Sequence, residues 1–208
     1  MGKIQKFLIG MVLLCFLTVP LGCVNVSKPP SDMVYKVVSS EMHSVLMGDV
    51  DGYLFQKLLA DISYAKAHGI KTMHLHIMSP GGYVMPLMGI LDLLDTAKRE
   101  GLHIVTYIDG LAASAAAAIF MCGDERIMDK TGFFMIHPMG GMPEQSQVNA
   151  STWYMFQRWI IRYAALIEAT SDFTFDEAKK LLTGSTNRDT HFFSAIDCLN
   201  HGFATSLR

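Results

Sequence analysis

Ser114 is the lone hydroxyl among the alanines of IDGLAASAAAAIF (residues 108–120), and His137 ends the apolar run FFMIHP. Together these two side-chain types can perform acyl transfer. A serine hydroxyl is a weak nucleophile until a base takes its proton, and imidazole is the most common base. Attack on a carbonyl also creates an oxyanion, which needs preorganised N–H donors. With a strand and turn before Ser114 and a helix after it, the N–H of Ala115 is one such donor, because the first turn of a helix leaves its N–H groups unpaired. A second can come from the glycine turn SPGG, which contains Gly81 and Gly82. A further group must fix the imidazole tautomer, and GSTNRDTHFFSA supplies Asp189 and, more weakly, Thr190. Taken singly, each residue has a plainer role. A serine at a helix start is most often an N-cap, and a strand-ending histidine is more often a hydrogen-bonded structural residue. Only the combination points to chemistry.

Other clusters carry less. His74 and His76 are two apart in a strand, so they share a face and could bind a metal. No third ligand follows at sensible spacing, so a polar strand face is the expected reading and no metal is expected. The fifteen methionines are scattered through apolar runs, as pliable core and interface filling would be. Of four cysteines, Cys15 and Cys23 fall in the N-terminal segment, leaving Cys122 and Cys198. Two cysteines in apolar surroundings are expected to be small buried hydrophobes rather than a disulfide framework.

The elements that must position these groups alternate in period. A strand is expected near Ser44 to Met47 and a helix over residues 49–69, stopped at Gly69. Residues 71–82 read as a strand with a glycine turn, and 83–101 as a helix with Pro86 in its first turn and Gly101 past its end. Residues 102–110 read as a strand and 111–123 as a short helix so closely packed that most positions admit only small side chains. Two short strands follow within 124–141. The longest helix lies within 145–172; its Met and aromatic stripe over 153–167 suits an oligomer contact, although a core helix would read the same way. Residues 174–184 form a short helix whose Thr174 and Glu177 have capping-box spacing. The last segment, 191–207, reads as a helix stopped by Gly202 and a final strand.

Half of the 208 residues are hydrophobic and the formal charge is −2, the profile of one α/β domain and not of a disordered chain. Residues 1–22 carry Lys3 and Lys6 ahead of an uncharged apolar run, as an export signal does, and cleavage is expected rather than an uncleaved anchor. The remainder is more acidic, which gives no electrostatic case for nucleic acid. PLGC resembles a bacterial lipobox, in which Cys23 would become the lipid-bearing first residue and attach the protein to a membrane. Pro20 stands where that pattern usually has leucine. Residues 23–34 then form a polar, Pro-bearing tether.

MSPGGYV, GLAASAAAAIFMCGDERIMDKTGFFMIHPMGG and RDTHFFSAIDCLNHGFATSL resemble the proteolytic subunit of the Clp protease and its phage-type and secreted relatives. The resemblance spans about Ser44 to Leu207, within a domain of residues 35–208. It implies an α/β fold of the ClpP/crotonase type, built from repeated strand-strand-helix units with a long protruding oligomerisation helix. It further implies a serine peptidase acting on peptides or unfolded polypeptides without a cofactor. By position, Ser114 is the nucleophile, His137 the base, and the N–H groups of Gly81 and Ala115 the oxyanion hole. Residues 149–170 would be the helix that interdigitates between stacked seven-membered rings. A gapless match of FFSA to the family's FLSA sets Thr190 at the third triad position, with Asp189 one residue earlier. Asp189 is the expected third member if the loop shifts, and a Ser–His dyad stays open. Export separates such a protein from an ATP-driven unfoldase, and no Walker motif supplies its own power. Two rivals are a non-catalytic scaffold of the same assembly and, less favoured, a crotonase-type acyl-CoA enzyme. The expected location is the bacterial periplasm or the membrane-anchored envelope.

Overall fold

In the chain's computed structural model, the described residues are 40–138, 149–183 and 189–208. The export signal, Cys23 and the tether therefore lie outside the described residues, as do the first residues of the expected long helix. Among the described residues no helix is long and apolar enough to cross a membrane.

Strand and helix alternate through the first half: β1 (Glu41–Met47), α1 (Gly52–Ala67), β2 (Thr72–Ser79), α2 (Val84–Arg99), β3 (His103–Ala113) and α3 (Ala115–Met121). Then come β4 (Glu125–Met128), β5 (Phe133–Ile136), α4 (Ala150–Thr170), α5 (Phe175–Thr183), β6 (His191–Phe193), α6 (Ala195–His201) and β7 (Ser206–Leu207). Strands β1, β2, β3, β4 and β7 lie side by side in that order, all parallel. Period-2 alternation selects the faces: Ser44 and Leu46 of β1 and Met73, Leu75 and Ile77 of β2 point inward, while His43, His74 and His76 do not. Onto the inner face pack the apolar stripes of α1 (Leu54, Leu58, Ile62, Ala65) and α2 (Leu87, Ile90, Leu91, Leu94, Ala97). Asp51 caps α1 by accepting the Leu54 N–H at 2.9 Å, and both helices stop at the glycines expected to stop them.

β3 is longer than its sequence suggests, because Leu111, Ala112 and Ala113 continue the strand instead of beginning the helix. Its two halves have different partners. Val105–Ile108 pair with β4, whereas Leu111–Ala113 pair with β5, and Gly110 lies at the divide. β5 thus runs parallel beside the strand end that feeds Ser114, the arrangement that His137 requires.

The segment 191–193 is a strand and not part of the last helix. It pairs antiparallel with β5, and Ser194 then starts α6 with a reciprocal cap to Asp197. Two aromatics inside what reads as a helical run, Phe192 and Phe193, belong to this strand. Phe193 joins Phe134 and Phe203, with ring centroids 6.0 and 5.2 Å away, so aromatic packing welds the C-terminal segment to β5.

α3 is buried at every position, packed against β3, α2 and α4. The alanines are therefore a packing requirement: a larger side chain there would cost about 1–3 kcal/mol of overpacking. The first ten residues of α4 contain no buried side chain, and the core contacts Ile160, Tyr163, Ala164 and Ile167 all fall in its second half. The stripe over 153–167 is thus core at one end and open at the other, where Tyr154 is 65 % exposed.

Cys122 and Cys198 are both buried and unbonded, and burial pushes each thiol up to about 12. At pH 8 both are neutral thiols and poor nucleophiles. Iodoacetamide treatment of the native protein, read by peptide mapping, is expected to leave these two cysteines unmodified and to alkylate them fully after unfolding.

Candidate active site

Ser114 lies at the junction where β3 ends and α3 begins, with φ 56° and ψ −121°. It is the only non-glycine residue with positive φ among the described residues. Such a conformation costs on the order of 1–3 kcal/mol and persists only when its surroundings over-determine it. Here they do. The Ser114 N–H donates to the Met135 carbonyl of β5 at 2.8 Å, and the Ser114 carbonyl accepts from the Tyr163 hydroxyl at 2.8 Å and from the Ala117 N–H at 3.0 Å. Burial pushes the Tyr163 phenol up, so it remains a protonated donor.

The strained turn aims the side chain away from its own helix. Ser114 occupies the N-cap position, yet its hydroxyl makes no capping bond. Instead its Oγ lies 2.8 Å from Nε2 of His137. With the ring proton on Nδ1, the hydroxyl donates to Nε2, as nucleophile activation requires. Ala115 opens α3, and its N–H therefore has no carbonyl a turn behind it within the helix.

The glycine turn approaches this junction too closely for any side chain. A Cβ on Gly81, which has φ 102°, would fall 2.7 Å from both the Ala113 carbonyl oxygen and the Ser114 Cβ. The turn is pinned on its other side by Val50, which donates to the Gly81 carbonyl and accepts from the Tyr83 N–H, each at 2.8 Å. The Gly81 N–H donates to the buried Ser79 hydroxyl at 3.1 Å. Gly82 lines the adjoining cavity of about 310 Å³ together with Pro80, Val84, Leu87, Ser114, Ala115, His137 and Tyr163. Apolar walls beside a nucleophile, a base and free amide donors suit a peptide segment and its side chain.

Asp189 and Thr190 immediately precede β6. The β5–β6 ladder pairs Ile136 with His191, so one further step of the register sets Thr190, not Asp189, opposite His137. Among the described residues neither side chain makes a hydrogen bond to the His137 ring. Ser114, His137, Gly81, Gly82 and Ala115 thus converge, while Asp189 lies one residue out of register. Sequence reasoning missed Tyr163 and Ser79. The first reaches its partner across 49 residues of chain, and the second is hidden as an ordinary strand-end serine.

His74 and His76 share the outer face of the sheet, as expected, but a third imidazole joins them from an unexpected direction. His43 comes from the preceding strand β1, and its ring stacks on His74 with centroids 4.5 Å apart. Burial and the two neighbouring imidazoles lower its pKa. Among the described residues no three His, Cys, Asp or Glu side chains are gathered as a three-ligand metal site would need.

A family model described as Clp protease matches residues 28–207. The chain is 30% identical over 174 residues to ATP-dependent Clp protease proteolytic subunit 2 of Prochlorococcus marinus subsp. pastoris, a match covering 81% of this chain and 83% of that protein. It is 25% identical to the ATP-dependent Clp protease proteolytic subunit of Leuconostoc citreum, over 78% of this chain and 80% of the relative. Among solved structures, a ClpP1 mutant from Listeria monocytogenes superposes with a TM-score of 0.67 at 16% identity, covering 80% of this chain and 90% of that one. At that identity the likeness is one of fold.

Two substitutions test how the elbow is held. Tyr163→Phe removes one of two donors to the Ser114 carbonyl and is expected to cost about 1 kcal/mol in denaturant unfolding, with slower reaction of Ser114 toward a fluorophosphonate. Gly81→Ala is expected to be worse on both measures, because backbone has to move to admit the methyl group.

Proposed function

Because the chain belongs to the Clp protease family, we propose that it is a serine endopeptidase that cleaves small or unfolded polypeptides through an acyl-enzyme on Ser114. The observation that carries this reading is the 2.8 Å contact between the Ser114 hydroxyl and His137 Nε2 at a strained elbow. As Oγ attacks the peptide carbonyl, Nε2 takes the hydroxyl proton, and the imidazolium then returns it to the departing amine. Water repeats the sequence to release the acyl group. The Ala115 N–H receives the oxyanion. Gly82, which lines the cavity, is the better second donor, since the Gly81 N–H is already engaged by Ser79.

The register favours a reading in which Thr190 holds the imidazole or a dyad operates, and Asp189 serves only if its segment shifts by one residue. The scaffold alternative has less support, because a non-catalytic protein has no use for a strained serine directed at an imidazole. An acyl-CoA enzyme of the crotonase type needs no such pair at all.

The assembly we propose is a homo-oligomeric ring in which the open half of α4 packs on another subunit; Tyr154 and Met155 are exposed apolar side chains of that half, and Ile161 continues the surface just beyond it. We also propose export, with lipid attachment at Cys23, on the strength of the N-terminal charge and hydropathy pattern and the PLGC sequence.

Fluorophosphonate labelling of the purified protein, with its native mass measured on the same sample, tests the enzyme and the ring together. The parent is expected to label and to run as an oligomer, and Ser114→Ala and His137→Ala should abolish labelling. A mis-held imidazole costs about 10⁴-fold in turnover, so whichever of Asp189→Asn and Thr190→Val approaches that loss identifies the third group. An unlabelled but folded and assembled parent would give the function to the scaffold reading. Incorporation of labelled palmitate into the parent but not into Cys23→Ala is expected if the lipid is attached there; equal incorporation would remove that assignment.

A further inference from the structure

The outer face of β1, β2 and β3 carries a set of polar rings that acyl transfer does not use. His43 and His74 are directly paired across β1 and β2, and His76 is the diagonal neighbour of His43. The Nδ1 of His43 and the Nε2 of His76 point at each other across 3.0 Å. His76 presents its second nitrogen, Nδ1, to Oδ2 of Asp109 on β3 at 2.7 Å, and Arg208 in turn holds Asp109. His74 bonds the Tyr107 hydroxyl through Nδ1 at 2.9 Å; its buried Nε2 makes no hydrogen bond, with the Glu41 carboxylate 3.5 Å away.

Two imidazole nitrogens bound to one zinc at 2.0–2.1 Å with tetrahedral angles stand roughly 3.3 Å apart. The His43–His76 separation is within a few tenths of an ångström of that distance. The outer partner also matches: a ligating histidine nearly always offers its other nitrogen to a carboxylate or carbonyl, which fixes the ring and raises its basicity. Asp109 stands in that relation to His76. A surface pocket of about 320 Å³, lined by His43, His76, Asp109, Val45, Ile77 and Met78, leaves room for water on the open side of the pair.

We propose that His43 Nδ1 and His76 Nε2 bind a borderline divalent transition metal such as zinc, with Asp109 orienting His76 and water completing the coordination. The stacked ring of His74 holds His43 in its orientation. Metal binding takes the His43 tautomer with its proton on Nε2, so the N–H···N hydrogen bond is given up and the two lone pairs turn to converge on the ion beside the N–N line. Two protein ligands and open positions make this a site of modest affinity that exchanges with the surroundings, unlike a closed structural site. Its pocket shares no lining residue with the cavity at Ser114, and it does not depend on the peptidase reading.

Titration of the full chain with zinc chloride, followed by isothermal calorimetry, tests the site, and nitrogen hyperfine splitting of bound Cu²⁺ counts its ligands. The parent is expected to show a saturable site with two nitrogen ligands. His43→Ala and His76→Ala should each weaken binding by at least roughly tenfold and leave one nitrogen. Asp109→Asn should weaken it roughly 10–100-fold while both nitrogens stay bound. His103→Ala, which alters a separate exposed imidazole paired with Glu125, should change neither reading. Absence of saturable binding to the folded parent would overturn the proposal. So would affinity and nitrogen count unaffected in variants at His43 and His76 whose circular dichroism and melting match the parent.

Discussion

The backbone of Ser114 is the constraint to which the rest of the molecule answers. A left-handed φ on a residue with a side chain is unfavourable by an amount comparable to one or two net hydrogen bonds, so it survives only where several independent elements each hold one end of it. β5 supplies a carbonyl for its N–H, and α4 supplies a hydroxyl for its carbonyl. The conformation is what releases the Ser114 hydroxyl from capping α3 and turns it toward His137. An ordinary N-cap would satisfy a helix and do no chemistry.

Smallness around that residue follows from the same constraint. The SPGG turn must come within contact distance of the Ser114 Cβ while being clasped by Val50 from the other side, and there is no space for a methyl group between them. The buried alanines of α3 let β3, α2 and α4 close around the helix that carries the nucleophile. What looks like low complexity in AASAAAA is the negative image of its neighbours.

Local signals made much of this legible. The glycines after α1 and α2, the Thr174–Glu177 cap and the apolar stripes all express short-range rules, and the structure follows them. The Ser114–His137 pair was readable because each residue ends a strongly patterned strand. Long-range register was not. Whether Asp189 or Thr190 meets the imidazole depends on which residue of β6 pairs with Ile136, and a one-residue slip reverses the answer. β6 itself was masked because HFFSAIDCLNHG is a good helical pattern, and only the cap at Ser194 marks where helix begins. His43 was overlooked beside His74 and His76 because a neighbouring parallel strand lies some thirty residues away in sequence, and spacing rules search along the chain.

α4 is one continuous helix with two ends in different circumstances. Tyr163 grips the carbonyl of the reactive serine at one point, and Tyr154 stands free nine residues earlier, about 14 Å along the axis. The bond that helps fix the elbow is therefore carried by the same helix whose opposite end lies open to contact.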